Sequence, residues 1–201
     1  MRSHTLDSLP GRCKRCWIRE EWCLCEYLPS VQPKTELVLV RHQREAWKST
    51  GTARIAALSL PALKLVEYGD DSEPAAKELA PLLEGAALLF PFDSDSTEAK
   101  PPVQRLIVLD GTWRQARRMV KRLPGLLALP RVALPPKEEP VLRLRSSPRS
   151  EDRSTLEAIA DALALLEGED IAEPLHRIHA LMVERVFRAR GVWEQKQQKG
   201  A

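Results

Sequence analysis

The sequence has no apolar run long enough to cross a membrane, which excludes a helical membrane anchor among these residues. Its opening residues, MRSHTLDSLPGRC, lack the apolar middle of a secretory signal, so the expected compartment is the cytoplasm. Net charge is small. The 31 basic and 28 acidic residues leave +3, too little by itself to argue for a nucleic-acid partner. No internal repeat is present, which removes repeat architectures. Cysteine is nearly absent. The chain has 4, all between Cys13 and Cys25, and in a reducing compartment disulfides are disfavoured.

What is present suits one ordinary globular domain with a small appendage. The chain has 201 residues, 43% hydrophobic and 29% charged, enough to build a core and too apolar for disorder. The charge is unevenly spread. Basic residues gather at Arg12 to Arg19, Arg114 to Arg122 and Arg143 to Arg153, and acidic ones at Asp70 to Glu84 and Asp93 to Glu98. Local basic faces fit an anionic partner better than the net value suggests.

From residue 36 onward apolar runs of strand length alternate with helical patterns. ELVLVRH (Glu36 to His42), LKLVEYG, AALLFPF, RLIVLD and RVALP are predicted strands. TGTARIAALSL, EPAAKELAPLLEG, STLEAIADALALLEG and PLHRIHALMVERVFRAR are predicted helices, and DSDSTEAKPPVQ is a polar loop. The expected fold class is α/β, with a mainly parallel sheet covered by helices on both faces. The expected division is a cysteine module over 1–30, a main domain over 31–193 and a frayed tail over 194–201.

The cysteines are spaced C-x2-C-x6-C-x-C. Two close pairs of thiolates suit a tetrahedral Zn(II) site held by Cys13, Cys16, Cys23 and Cys25, and metal binding would supply much of the folding free energy of so short a segment. An iron–sulfur cluster uses the same ligands and is the alternative. With all four positions filled by protein the site is structural. Trp17 and Trp22 around it either stack on RNA bases or pack the module onto the main domain.

The stretch LIVLDGTWRQARRMVKR joins an apolar strand to a basic helix. At about 100° per residue, Trp113, Ala116, Met119, Val120 and Leu123 share one arc of about 120°. Arg114, Arg117, Arg118, Lys121 and Arg122 fill the neighbouring arc. No acid within the helix neutralises them, so phosphates are the expected partners. Asp110 ends the strand, where ligands bind in open α/β sheets, but an Asp before a helix is also a common N-cap. His176 and His179 lie three apart with no third ligand in sight and are read as surface or packing residues.

Six motifs in order — WCLC, LVLVRHQRE, STG, LLFPF, LDGTWRQARRM and DRSTLEAIADALALLE — resemble the DTW-domain family, over about Cys13 to Glu167. The resemblance implies a tRNA-uridine aminocarboxypropyltransferase. Such an enzyme moves the 3-amino-3-carboxypropyl group of S-adenosylmethionine to N3 of a uridine in the tRNA variable loop and leaves methylthioadenosine. It implies kinship with SPOUT methyltransferases and hence a C-terminal trefoil knot, which chain physics alone makes very rare. One departure stands at His42-Gln43-Arg44-Glu45, where the family commonly has His-Pro-x-Glu. Gln43 frees a backbone N–H.

Within that resemblance Asp110 is the expected base for N3, or else a group that orients the ribose or the methionine ammonium. Ser49, Thr50 and Gly51 open a helix and are expected to seat the methionine carboxylate. Leu89, Phe90 and Pro91 are expected to wall the adenine, with Leu109, Gly111, Thr112 and Trp113 beside the cofactor. Ser154 with Glu157 reads as a capping box, Ser154 is also expected beside the cofactor, and Thr155 is expected as an adenosine contact. Arg143, Arg145, Arg149 and Arg153 extend the RNA face or bind the methionine carboxylate. No membrane and no obligate protein partner is expected. The alternatives are an RNA methyltransferase of related fold and a non-catalytic RNA-binding module.

Overall fold

Successive residues of a strand point to opposite faces, so a strand that is apolar at every position must be covered on both. Glu36–His42 (β1) meets that condition. Leu37, Val38, Leu39 and Val40 are all buried in the computed structural model, which describes residues 11–48, 50–93, 95–136, 144 and 153–194. The other strands are Lys64–Tyr68 (β2), Ala86–Leu89 (β3), Arg105–Asp110 (β4) and Arg131–Val132 (β5). They form one parallel sheet in the order β2-β1-β4-β3-β5. The helices are Thr52–Ser59 (α1), Glu73–Leu79 (α2), Trp113–Arg122 (α3), Thr155–Glu167 (α4) and Glu169–Ala189 (α5).

The handedness of parallel crossovers decides which helix covers which face. The step from β1 to β2 runs toward one edge, and those from β2 to β3 and from β4 to β5 run toward the other. One hand therefore puts α1 on the face opposite α2 and α3. The cores follow. On one face Leu37, Leu39, Leu106 and Val108 pack with Ile55 of α1, Ile159 and Leu163 of α4, and Leu175 and Met182 of α5. On the other Val38, Val40, Ile107 and Leu88 pack with Leu79 of α2 and Met119 and Val120 of α3.

Several elements differ from expectation at their ends. β3 stops at Leu89, although Phe90 still donates its N–H to the Val132 carbonyl at 3.1 Å; Pro91 has no N–H to continue the ladder. α2 ends at Leu79 and passes into a 3-10 turn over Ala80–Leu82 that carries Pro81. β5 is two residues rather than RVALP. Arg131 of β5 also meets the expected polar loop: it donates its N–H to the Thr97 carbonyl at 2.7 Å, and its carbonyl accepts from the Ala99 N–H at 2.8 Å. The β3–β4 connection thus runs along the outer edge of β5. α5 begins at Glu169, five residues before the expected Pro174. A proline at the sixth position loses one i→i−4 bond, and the rest of the first turn holds. Gly168 alone separates α4 from α5, and its φ of +104° is open to glycine but strained for other residues.

The cysteine segment is docked, not appended. Cys16, Ile18 and Leu24 belong to the same core as α4 and α5. Trp17 is 5% exposed and takes φ of +64°. Its ring carries the Arg54 guanidinium 3.7 Å from the centroid, and Trp22 is partly buried against the core. Of the two readings of these tryptophans, the structure supports packing. Arg185 of α5 donates to the Cys23 carbonyl and lies over Tyr27 at 4.3 Å. Among the described residues no helix is long and apolar enough to cross a membrane.

Candidate active site

α3 starts at Thr112, not Asp110. The Thr112 hydroxyl accepts from the Gln115 N–H at 3.3 Å, and the Gln115 side chain accepts from the Thr112 N–H at 2.6 Å. This capping box leaves Asp110 out of the helix start. Gly111 belongs between them because an added Cβ would lie 3.0 Å from the Gln115 Cβ. The Asp110 carboxylate instead accepts a 2.6 Å hydrogen bond from the Thr155 hydroxyl, and the residue is 6% exposed.

Thr155 reaches Asp110 because α4 starts there. Ser154 caps it, in a box with Glu157 whose carboxylate accepts from the Ser154 N–H at 2.9 Å. His179 of α5 lies 3.1 Å from the Ser154 hydroxyl, so it buttresses this cap. The Leu156 N–H donates to the Thr52 hydroxyl at 3.3 Å, which ties the start of α4 to the start of α1. The end of β4 and the starts of α1, α3 and α4 thus converge at the carboxyl edge of the sheet.

On one side of this junction is a cavity of about 430 Å³. Its walls include the expected Leu89, Phe90, Pro91, Leu109, Gly111, Trp113 and Thr155. The Phe90 and Trp113 rings meet edge to face, centroids 5.8 Å apart. Phe92 of the expected apolar wall LLFPF lines it too, while the sequence marks Val132, Ala133, Leu134 and Pro136 only as strand or its exit and not as cavity wall. Arg153 also lines the cavity. It pairs with Asp161 and donates to the Pro135 carbonyl at 2.6 Å, so it latches the exit of β5 onto α4 and is not part of an outward RNA face. Thr112 and Ser154 spend their hydroxyls on caps and do not line the cavity.

On the other side Asp110 lines a closed polar gap with Arg41, Glu45, Lys48, Gly51 and Arg54, too tight in this conformation for a water-sized molecule. Arg41 pairs with Glu67 and Lys48 with Glu45. Burial lowers the Arg54 pKa, with Arg41 adding to the effect, and Arg54 donates to the Ala46 carbonyl at 3.1 Å. Gly51 is the N-cap of α1 with an ordinary φ of −72°, and Thr50 lies beside it. Ser49, Arg143, Arg145 and Arg149 lie outside the described residues. The N–H freed at Gln43 is used: it donates to the Tyr68 carbonyl at 2.9 Å. His42 is buried against the Tyr68 ring, and its Nδ1 accepts from the Arg44 N–H at 3.2 Å. Burial pushes its pKa down, and Arg44 and Arg118 push the same way against Glu45 and Asp70.

Arg114, Arg117, Arg118, Lys121 and Arg122 lie on α3 outside its buried side, while Ala116, Met119 and Val120 are buried as the pattern predicts. None of the five cations forms an ion pair with another described residue.

The four cysteine sulfurs lie within 4.8 Å of one another, with Cys13 and Cys25 at 3.5 Å and Cys16 and Cys23 at 3.8 Å. A tetrahedron with bonds of about 2.3 Å has edges of about 3.8 Å. The donor set and its dimensions fit a tetrahedral metal ion. Burial resists ionisation of Cys13, but the backbone N–H groups of Cys16 and Arg15 together with hydrogen bonds from the Cys23 and Cys25 side chains outweigh it and hold its pKa at about 6.

The family model described as the DTW domain matches residues 11–187. The chain belongs to the DTW-domain family. Among similar proteins, this DTW domain is 27% identical over 184 residues to tRNA-uridine aminocarboxypropyltransferase 2 of Drosophila melanogaster, covering 84% of this chain and 73% of that one. It is 32% identical over 180 residues to the Mus musculus protein of the same name, covering 82% and 60%. It is 26% identical over 211 residues to tRNA-uridine aminocarboxypropyltransferase A of Arabidopsis thaliana, covering 85% and 79%. No solved structure matches.

Proposed function

We propose that this DTW domain transfers the 3-amino-3-carboxypropyl group of S-adenosylmethionine to N3 of a uridine in the tRNA variable loop. The observation that carries the reading is the position of Asp110. Its buried carboxylate is held by Thr155, which lines the apolar cavity together with Leu109 and Gly111 on either side of Asp110. Asp110 itself lines a narrow polar gap with Arg41, Lys48 and Arg54. The relatives named as tRNA-uridine aminocarboxypropyltransferases supply the reaction class.

The cavity has the size and apolar character of a small-molecule site. Leu89, Phe90, Pro91 and Trp113 suit an adenine. The start of α1 at Thr50 and Gly51, with Arg41, Lys48 and Arg54 nearby, suits the amino acid carboxylate. Leu109 and Gly111 offer backbone groups between these ends. The sulfonium activates three attached carbons, and orientation alone selects which one meets the nucleophile. In the proposed step Asp110 takes the N3 proton, the N3–Cγ bond forms, the Cγ–S bond breaks with its electron pair going to sulfur, and methylthioadenosine leaves. Positioned proton abstraction contributes roughly 10²–10⁴-fold. The cations of α3 from Arg114 to Arg122, joined by Arg145, would hold the RNA backbone.

Cys13, Cys16, Cys23 and Cys25 would hold a structural Zn(II), with no coordination position left for chemistry. The knotted SPOUT-like topology belongs to this proposal too. Its support is that β5 lies between β3 and residues 97–99 of the connection that leaves β3, the enclosure a threaded chain needs. We place the protein with its tRNA in the cytoplasm.

The test is to mix purified protein, S-adenosylmethionine and unmodified tRNA and to identify the released nucleoside by mass spectrometry. Methylthioadenosine is expected, together with its loss in Asp110→Asn while tRNA still binds. Release of S-adenosylhomocysteine would instead establish the methyltransferase alternative. Absence of any turnover with tRNA bound would leave the non-catalytic module.

A further inference from the structure

Two large aromatic side chains stand exposed at the edge of the sheet that carries Asp110. Trp47 is 53% exposed and Phe92 48%. Isolated exposed apolar residues are ordinary, so exposure alone decides nothing. Their placement adds more. Trp47 follows β1 and Phe92 follows β3, and these are the two strands that flank β4. The two aromatics therefore rise from loops on either side of Asp110, and Phe92 also belongs to the cavity wall.

The segment that presents Trp47 is built, not slack. The Glu45 N–H donates to the His42 carbonyl at 2.8 Å and the Lys48 N–H to the Glu45 carbonyl at 3.1 Å. The Gly51 N–H donates to the Lys48 carbonyl at 3.0 Å, and Arg54 holds the Ala46 carbonyl from below while resting on Trp17. The indole is thus held outward by its backbone, at the cost of leaving its apolar surface wet. The surroundings are mixed in charge, with the cations concentrated on α3. Arg44 and Arg118 act on the adjacent His42 against Glu45 and Asp70, α3 begins its basic run a few residues beyond Asp110, and on the far side Phe92 is followed by Asp93 and Asp95.

Exposed rings on loops either side of β4, with the basic helix α3 following it, match single-stranded nucleic acid, whose bases stack on aromatics while its phosphates meet the cations. Uridine N3 lies on the pairing edge, so it reaches a carboxylate only when unpaired, and its neighbours then lose stacking partners. We infer that Trp47 and Phe92 are the stacking platforms for the bases next to the target uridine, so that the site takes an unpaired, splayed loop and not a helical stem. This inference rests on the proposed function above.

The experiment measures binding without S-adenosylmethionine, using unmodified tRNA and a short oligouridylate. The proteins are wild type, Trp47→Ala, Phe92→Ala and Trp47→Phe, each checked for an unchanged melting temperature. Each alanine variant is expected to bind both RNAs about 5- to 150-fold more weakly. The salt dependence should stay the same, because the cations that meet the phosphates are untouched. Trp47→Phe should recover most of the affinity, and oligouridylate should quench wild-type tryptophan fluorescence more than that of Trp47→Ala. If tRNA binds and both alanine variants match wild type, this inference falls while the function stands. If the wild type binds neither RNA, both fall together.

Discussion

His42 is held neutral by its surroundings. Its Nδ1 accepts the Arg44 N–H, which leaves the ring proton on Nε2, and charging the ring would break that bond beside two arginines. Burial and these cations set its pKa below the value of about 6.5 that it has in an unfolded chain. Between the folded value and about 6.5 the unfolded chain therefore binds more protons, so stability rises with pH there. The His42 contribution is complete above about 6.5 and is lost as pH falls through the folded pKa. The thermal midpoint of wild type should drop between pH 7.5 and 5.5 by more than that of His42→Asn, whose amide oxygen still accepts from Arg44. Equal drops in calorimetry would remove His42 as the cause. Asp110 shows the other way one side chain is set by its neighbours: Thr112 takes over the helix cap, which leaves the carboxylate to Thr155.

At the scale of elements, α3 is the clearest case of a pattern that carries both fold and function. Its buried Ala116, Met119 and Val120 fix the rotation of the helix, and that rotation turns the five cations away from the core. Replacing Arg117 and Arg118 by alanine should leave the melting temperature nearly unchanged. It should weaken tRNA binding and reduce the slope of log affinity against log salt by about 0.7–0.9 for each phosphate no longer neutralised. An unaltered slope would move the RNA backbone elsewhere. How far such elements were legible in the sequence depends on what defines their ends. β1 and β4 read clearly because burial on both faces demands continuous apolar residues. β5 did not, because its outer neighbour is a polar connection with no strand pattern, paired only at residues 97–99. The start of α5 is not legible because Pro174 looks like a first residue, whereas Gly168 supplies the break. The LDGTW junction was legible as a site. The bond from Thr155 to Asp110 was not, since nothing local records a pairing across 45 residues. Arg41 and Arg54 are not legible as site residues for a similar reason. One is hidden in a strand and the other in a short apolar helix, and only tertiary packing brings them to Asp110.

At the scale of the whole molecule, the cysteine segment reaches Asp110 through a short mechanical chain. Cys16 precedes Trp17, Trp17 carries Arg54, Arg54 holds the Ala46 carbonyl, and Arg54 lines the gap against Asp110. Trp17 keeps its indole there in a left-handed conformation, at φ of +64°. That conformation costs a non-glycine residue about 1–2 kcal/mol, so the segment must be held by something stronger than local preference. Four thiolates closing on one metal ion, as proposed for these cysteines, would supply such a constraint. Since Cys16, Ile18 and Leu24 share a core with α4 and α5, loss of the ion should not release a separate module. Chelation, or Cys16→Ser, should lower the melting temperature of the chain in a single transition. It should also shift Trp17 emission to the red as the ring leaves Arg54, and reduce turnover because the segment holding Ala46 loosens. Elemental analysis should find one zinc per chain and no iron with sulfide. An unmoved melting temperature after verified metal loss would mean that packing alone holds the segment, and that the path from the cysteines to Asp110 carries no mechanical coupling.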